Sequence, residues 1–190
     1  HGIETQAQEY GYSMILCNGM NDIDRETKYF DYLASRSADG IIIASGSFMQ
    51  RHYDYLCQSR TPVVISNVDT YDAKIPSISS EAREGARLAG KHLVEAGYEK
   101  FAYICGPKDL STAIVRRDGF IEGVGTSDVT VVYGESDVAS GERAIEELKS
   151  LLGPGLGIAA TNDQTAIGAM QAAQRLGYRV PDDIGFIGFD

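Results

Sequence analysis

A chain of 190 residues, 43% hydrophobic and 23% charged, can bury a sizeable core, and its length suits one large or two small domains. A formal net charge of −10 and a pI near 4.7 exclude the basic footprint that nucleic-acid binding needs, so this stretch by itself is not expected to hold DNA. No apolar run reaches the roughly 18–20 residues of a membrane span.

In chain order, Gly2 to Tyr10 carries Ile3, Ala7 and Tyr10 on one side and reads as a helix rather than a secretory leader, stopped by Gly11-Tyr12. The run Ser13 to Cys17 (SMILC) predicts a buried strand with Asn18 at its carboxyl end. Asn21-Asp22 can cap a helix through about Ser35 that turns Ile23, Thr27, Phe30 and Leu33 inward. Gly40 to Ala44 predicts a strand, followed by Ser45-Gly46-Ser47. Met49 to Ser59 predicts a polar, aromatic helix, and Pro62 to Ser66 the next strand, ending at Asn67. Pro76 to Ser79 reads as a short extended crossing.

From Ser80 the rhythm restarts. Glu81 to Ala96 predicts a helix with Ala82, Gly85/Ala86, Ala89, Leu93 and Ala96 on one face, small enough to lie close to a sheet. Phe101 to Cys105 predicts a strand, and Ser111 can cap a helix through Val124. Val129 to Tyr133 predicts a strand, and Ser140 can cap a helix to Leu152. Ile158 to Ala160 predicts a strand. Thr161 and Gln164 have capping-box spacing, with Asn162 and Asp163 also good caps, for a helix from about Asp163 to Leu176. Ile184 to Phe189 predicts the last strand, ending in Asp190. Three helices end in Gly-Tyr, at Gly11-Tyr12, Gly97-Tyr98 and Gly177-Tyr178, which suits a glycine C-cap with the next residue packing back. Strict β–α alternation implies an α/β fold of doubly wound parallel sheets, divided into residues 1–79 and 80–190. Ligands bind such sheets past the carboxyl ends of their strands.

Several stretches carry a likeness. TND-x-x-A-x-G-A from Thr161, then LGYRVPDDIGFIGFD to Asp190, resembles the effector-binding domain of the lactose-repressor/galactose-repressor (LacI/GalR) family of bacterial transcription regulators. Gly2 to Tyr12 (GIE-x-x-A-x-E-x-GY) resembles that domain's first helix, and DGIIIA and PVVIS its next strands. Glu84 to Gly106 resembles the opening of its second subdomain, and Arg116 to Phe120 (RRDGF) its R-x-x-G-F motif. The sequence departs from the family at Ser80-Glu81, where many members carry Asp-Asn, at Gly97-Tyr98 in place of Gly-His, and in a short stretch between Phe120 and Val129.

The resemblance implies a periplasmic-binding-protein-like (type I) pair of subdomains with a ligand cleft between them. It implies a cytoplasmic homodimer that senses a sugar or related metabolite and reads operator DNA through a helix-turn-helix domain outside this chain. It also implies that the first strand and the final elements lie outside the chain. The alternative is an extracytoplasmic sugar-binding protein of a transport system, which shares the fold but less often the VPDD turn.

By the same resemblance, Arg116 points into the cleft and offers a guanidinium fork to vicinal hydroxyls or a carboxylate; otherwise Arg116 or Arg117 is a solvated helix residue. Asp190 would accept from ligand hydroxyls, or is a loop aspartate. Asn162 can donate and accept, or is a helix N-cap. Asp163 is assigned to capping. Thr112 and Ser136 match pocket positions, or are ordinary cap and turn residues. Asn67 is the first-half candidate, ahead of Asn18 and Ser45, and Phe48 or Tyr71 could stack on a sugar. No enzyme is expected and no cofactor, because phosphate-loop, complete dinucleotide and nucleophile-elbow motifs are all missing. His1, His52 and His92 lack metal-ligand spacing. Cys17, Cys57 and Cys105 are odd in number and far apart, reading as reduced thiols.

Overall fold

The computed structural model describes residues 1–20, 22–44, 50–66 and 74–190. In the second half, four strands form one parallel sheet: β4 (Lys100–Cys105), β5 (Val129–Tyr133), β6 (Leu156–Ala160) and β7 (Ile184–Ile187), in the order β5-β4-β6-β7. Each strand is joined to the next by a helix. These helices are α5 (Ser111–Val124), α6 (Val138–Glu147) and α7 (Asp163–Arg175), and α4 (Ala82–Glu95) precedes β4.

The period of two in β4 sorts its side chains between two cores. Ala102 and Ile104 pack with Ile145, Ala169 and Ala173 from α6 and α7. Phe101, Tyr103 and Cys105 pack with Ala86, Leu93 and Phe120 from α4 and α5. Both helix pairs lie backbone to backbone. A Cβ on Gly119 would collide with the Arg83 carbonyl oxygen, and one on Gly168 with that of Val138, so only glycine permits these crossings.

The first half is slighter. Three parallel strands, β1 (Ile41–Ile43), β2 (Val63–Ser66) and β3 (Ser77–Ile78), lie in the order β1-β2-β3. Its helices are α1 (Gly2–Glu9), α2 (Ile23–Ser35) and α3 (Gln50–Cys57). Phe30, Ile41, Tyr53, Leu56, Val63, Ile65 and Ile75 form its core, and the Tyr55 hydroxyl ties α3 to Asp31 of α2. Asp22 caps α2, its carboxylate accepting from the backbone N–H of Asp24 and Arg25.

The three Gly-Tyr stops share one geometry. In each, the glycine has φ between +79° and +92°. The tyrosine N–H donates back to the carbonyls of Ala7, Leu93 and Ala173, and the glycine N–H to those of Gln8, Val94 and Gln174. This is the Schellman pattern, which satisfies carbonyls that a helix end leaves orphaned.

Other expectations need correction. Ser13 to Cys17 is not a strand. It has no ladder partner among the described residues, and Ile15 and Leu16 are 68% and 85% exposed. An apolar run without a neighbouring strand edge cannot satisfy its backbone in a sheet. Helix α1, which carries Ile3 and Ala7 on one side, has no buried residue. The cap of α6 is Asp137, with Ser140 completing a reciprocal box three residues on, and the helix ends at Glu147 rather than Leu152. Leu110, with no capping side chain, precedes α5 in place of Ser111. The cap of α7 is Asn162, so the Thr161–Gln164 box does not form. Strand β6 starts two residues early, at Leu156. Among the described residues no helix is long and apolar enough to cross a membrane.

Candidate functional site

Because β4 to β7 are parallel, their carboxyl ends meet along one edge of the sheet. Five of the six residues singled out from the sequence lie at or near that edge. Thr112 and Arg116 stand on the first two turns of α5, after β4. Ser136 follows β5, Asn162 follows β6 and Asp190 follows β7.

Arg116 is the centre of the arrangement. Its side chain is only 12% exposed. Its Nη1 donates to the carbonyl of Thr161 at 2.7 Å, and its Cζ lies 4.0 Å from the centroid of the Phe189 ring. Its Nη2 stands 3.6 Å from an Asp190 carboxylate oxygen whose side chain is 66% exposed. Its Nε is buried and has no acceptor among the described residues. One edge of the guanidinium is therefore fixed by protein, while the Nε and Nη2 edge has no hydrogen-bond acceptor among the described residues. That edge is the fork that meets a carboxylate or a pair of hydroxyls bidentately.

Thr161, the support of Arg116, is itself locked. It is buried, its N–H donates to the carbonyl of Ile104 at 2.8 Å, and its side chain bonds the hydroxyl of Tyr103. Burial pushes the Tyr103 hydroxyl far above its ordinary range, with Cys105 adding to the rise and Thr161 opposing it, so it remains protonated. The neighbouring Cys105 thiol is raised by burial to about 11 and reaches the Ala113 carbonyl at 3.6 Å. A thiol in that state is a packing group rather than a nucleophile.

Asn162 braces the edge. Its side-chain oxygen accepts from the N–H of Thr165 at 2.9 Å, capping α7, and its amide N–H donates to the Ser136 carbonyl at 2.8 Å. Ser136 sits in the left-handed region with φ +62°, a conformation costing a non-glycine residue about 1 kcal/mol and tolerated where surroundings over-determine it. Asp163 is the first residue of α7 rather than its cap, and its N–H donates to the Phe189 carbonyl at 3.1 Å.

Arg117 takes a different course from Arg116. It pairs with Asp118 at 2.6 Å and donates to the Tyr133 hydroxyl at 3.0 Å. Asn18 closes a local turn by accepting from the N–H of Met20. Asn67, Ser45, Phe48 and Tyr71 lie outside the described residues. The sequence reading missed Thr161 and Phe189 as the residues that hold Arg116, and Tyr103 as the support of Thr161. The only signal for the first two was adjacency, in Thr161-Asn162 and Phe189-Asp190; Tyr103 gave none. No group of three or more His, Cys, Asp or Glu side chains that could hold a metal occurs among the described residues.

A family model described as periplasmic binding proteins and sugar binding domain of LacI family matches residues 1–190. The chain belongs to this family. Its fold is therefore periplasmic-binding-protein-like, with helices on parallel sheets. A LacI-family relative, the ribose operon repressor of Halalkalibacterium halodurans, is 36% identical over 99% of this chain and 56% of its own length. The HTH-type transcriptional repressor PurR of Mannheimia succiniciproducens is 32% identical over 100% of this chain and 59% of its own. Among solved structures, a LacI family transcriptional regulator from Enterococcus faecalis with bound ribose is 27% identical at a TM-score of 0.84, covering 100% of this chain and 70% of that one. The chain thus spans a little over half the length of the curated relatives it matches. Those relatives are named as repressors, not enzymes and not transport proteins.

Proposed function

We propose that this chain is the effector-sensing part of a transcription repressor, and that its effector is a sugar or similarly hydroxyl-rich metabolite. The observation that carries the reading is the unpaired donor edge of Arg116 beside the exposed Asp190 carboxylate. A donor fork next to an acceptor suits vicinal hydroxyls, each of which can accept from the guanidinium and donate to the carboxylate. Thr112, Ser136 and the remaining N–H of Asn162 would complete the second-half contacts, with Asn67 contributing from the first. Residues 1–79 and 80–190 would form the two subdomains that close over the ligand. Ligand preference for the closed arrangement would shift its population, and a DNA-reading domain outside this chain would report that shift in a cytoplasmic homodimer on its operator. The names of the relatives weigh against the alternative of an extracytoplasmic carrier.

The test is a thermal-shift panel of sugars, sugar phosphates, polyols and nucleobases. A ligand at about 100 times its dissociation constant adds roughly 2.7 kcal/mol of stability. One chemical class should raise the melting temperature, and Arg116→Ala and Asp190→Ala should each abolish the rise. A shift unchanged in both variants would remove the site from this edge. A folded protein that responds to no class would remove the small-molecule reading.

A further inference from the structure

We infer that Phe189 is a positioning residue whose ring sets the orientation in which Arg116 presents its donor edge; this rests on reading Arg116 as an effector contact. A guanidinium on a long side chain has many rotamers, and a site that recognises hydroxyls needs one of them. Two protein contacts restrict it here. The Thr161 carbonyl takes Nη1 at 2.7 Å and limits rotation. The Phe189 ring, 4.0 Å from Cζ, supplies an apolar and electron-rich surface against the cation. Asp190 is the weaker restraint, because at 3.6 Å its carboxylate is beyond hydrogen-bond reach and largely exposed.

The ring is in turn held from α4. A Cβ built on Gly85 would lie 3.0 and 3.1 Å from two carbons of the Phe189 ring, so the glycine leaves the space that the ring occupies. Phe189 also packs against the core that contains Ala86, Ala113 and Phe120. Gly85 thus acts on Arg116 through Phe189, without itself being assigned any ligand contact. A leucine at 189 would keep the apolar filling but lose the aromatic face, whereas a tyrosine would keep both.

Two readouts test this. The first needs no ligand: the side-chain Nε–Hε signal of Arg116, identified by its disappearance in Arg116→Lys, should carry an upfield ring-current shift in the wild-type protein. Phe189→Tyr should retain the shift, and Phe189→Leu and Gly85→Val should lose it. The second is calorimetric titration with D-ribose, D-xylulose and hypoxanthine. The probe that binds wild type should bind Phe189→Leu roughly tenfold more weakly and Phe189→Tyr with little change. An unshifted Arg116 signal in wild type, or equal affinities of wild type and a folded Phe189→Leu, would overturn the inference. If no probe binds wild type, the effector reading loses its support, while the wild-type spectrum still decides whether Phe189 holds Arg116.

Discussion

Ser13 to Cys17 and Phe101 to Cys105 are both apolar five-residue runs ending in cysteine, SMILC and FAYIC. The second is a strand paired on both sides, and every one of its residues is buried. The first pairs with nothing among the described residues and leaves Leu16 85% exposed. Apolar content makes a segment suited to a strand; neighbours on both edges and helices on both faces are what make it one. Local devices behave differently. The Gly-Tyr stop of α1 has the same hydrogen bonds as those of α4 and α7, although α1 buries nothing. Capping follows from adjacent residues, whereas sheet formation depends on partners far away in sequence.

That contrast can be broken first at the cores. Phe120 is fully buried and packs against Tyr103 at 5.2 Å between ring centroids. Phe120→Ala should cost about 3–5 kcal/mol in denaturant unfolding. Phe30→Ala, in a smaller core better able to relax, should cost less than Phe120→Ala; equal losses would mean the halves are equally consolidated.

The caps should sharpen the contrast from the other side. Asn162→Ala and Asp22→Ala, one cap in each half, should each cost about 1 kcal/mol in thermal unfolding, because a cap does not depend on the depth of the core beneath it. Asn162→Asp should recover the cap while leaving the Ser136 carbonyl without its donor. A much larger loss at Asn162 would mean that the Ser136 link, not the cap, is the main contribution.

Thiol labelling should reveal the difference with no change in stability. At pH 8, iodoacetamide followed by peptide mapping should modify exposed Cys57 while buried Cys105, with its pKa near 11, stays unlabelled. Comparable rates at both sites would show the second half opening as readily as the first.

What the sequence revealed follows the same division. The strands of the second half are legible because each is a near-continuous apolar run between turn residues, as doubly covered parallel strands must be. Arg116 was distinguishable from Arg117 only through R-x-x-G-F, and the structure gives each letter a role. Gly119 admits α4, Phe120 fills the core, and Arg116 is left one turn earlier, near the sheet edge. The hold on Arg116 was not legible. Thr161 lies 45 positions away and is brought near by the β4–β6 register, which pairs Ile104 with Ala160. The α6 cap was misread because Asp137 and Ser140 are both good caps, and a reciprocal box uses both.

The bracing of Asn162 also bears on how the protein could be redesigned. Its carbonyl oxygen holds α7 and an amide hydrogen holds the loop after β5, so a substitution there would disturb two backbones before it altered any ligand. Thr161 is in the same position, between Ile104, Tyr103 and Arg116. An engineer wishing to retune what this edge recognises should leave those two residues untouched and randomise Thr112, Ser136 and Asp190, whose side chains cap no helix among the described residues.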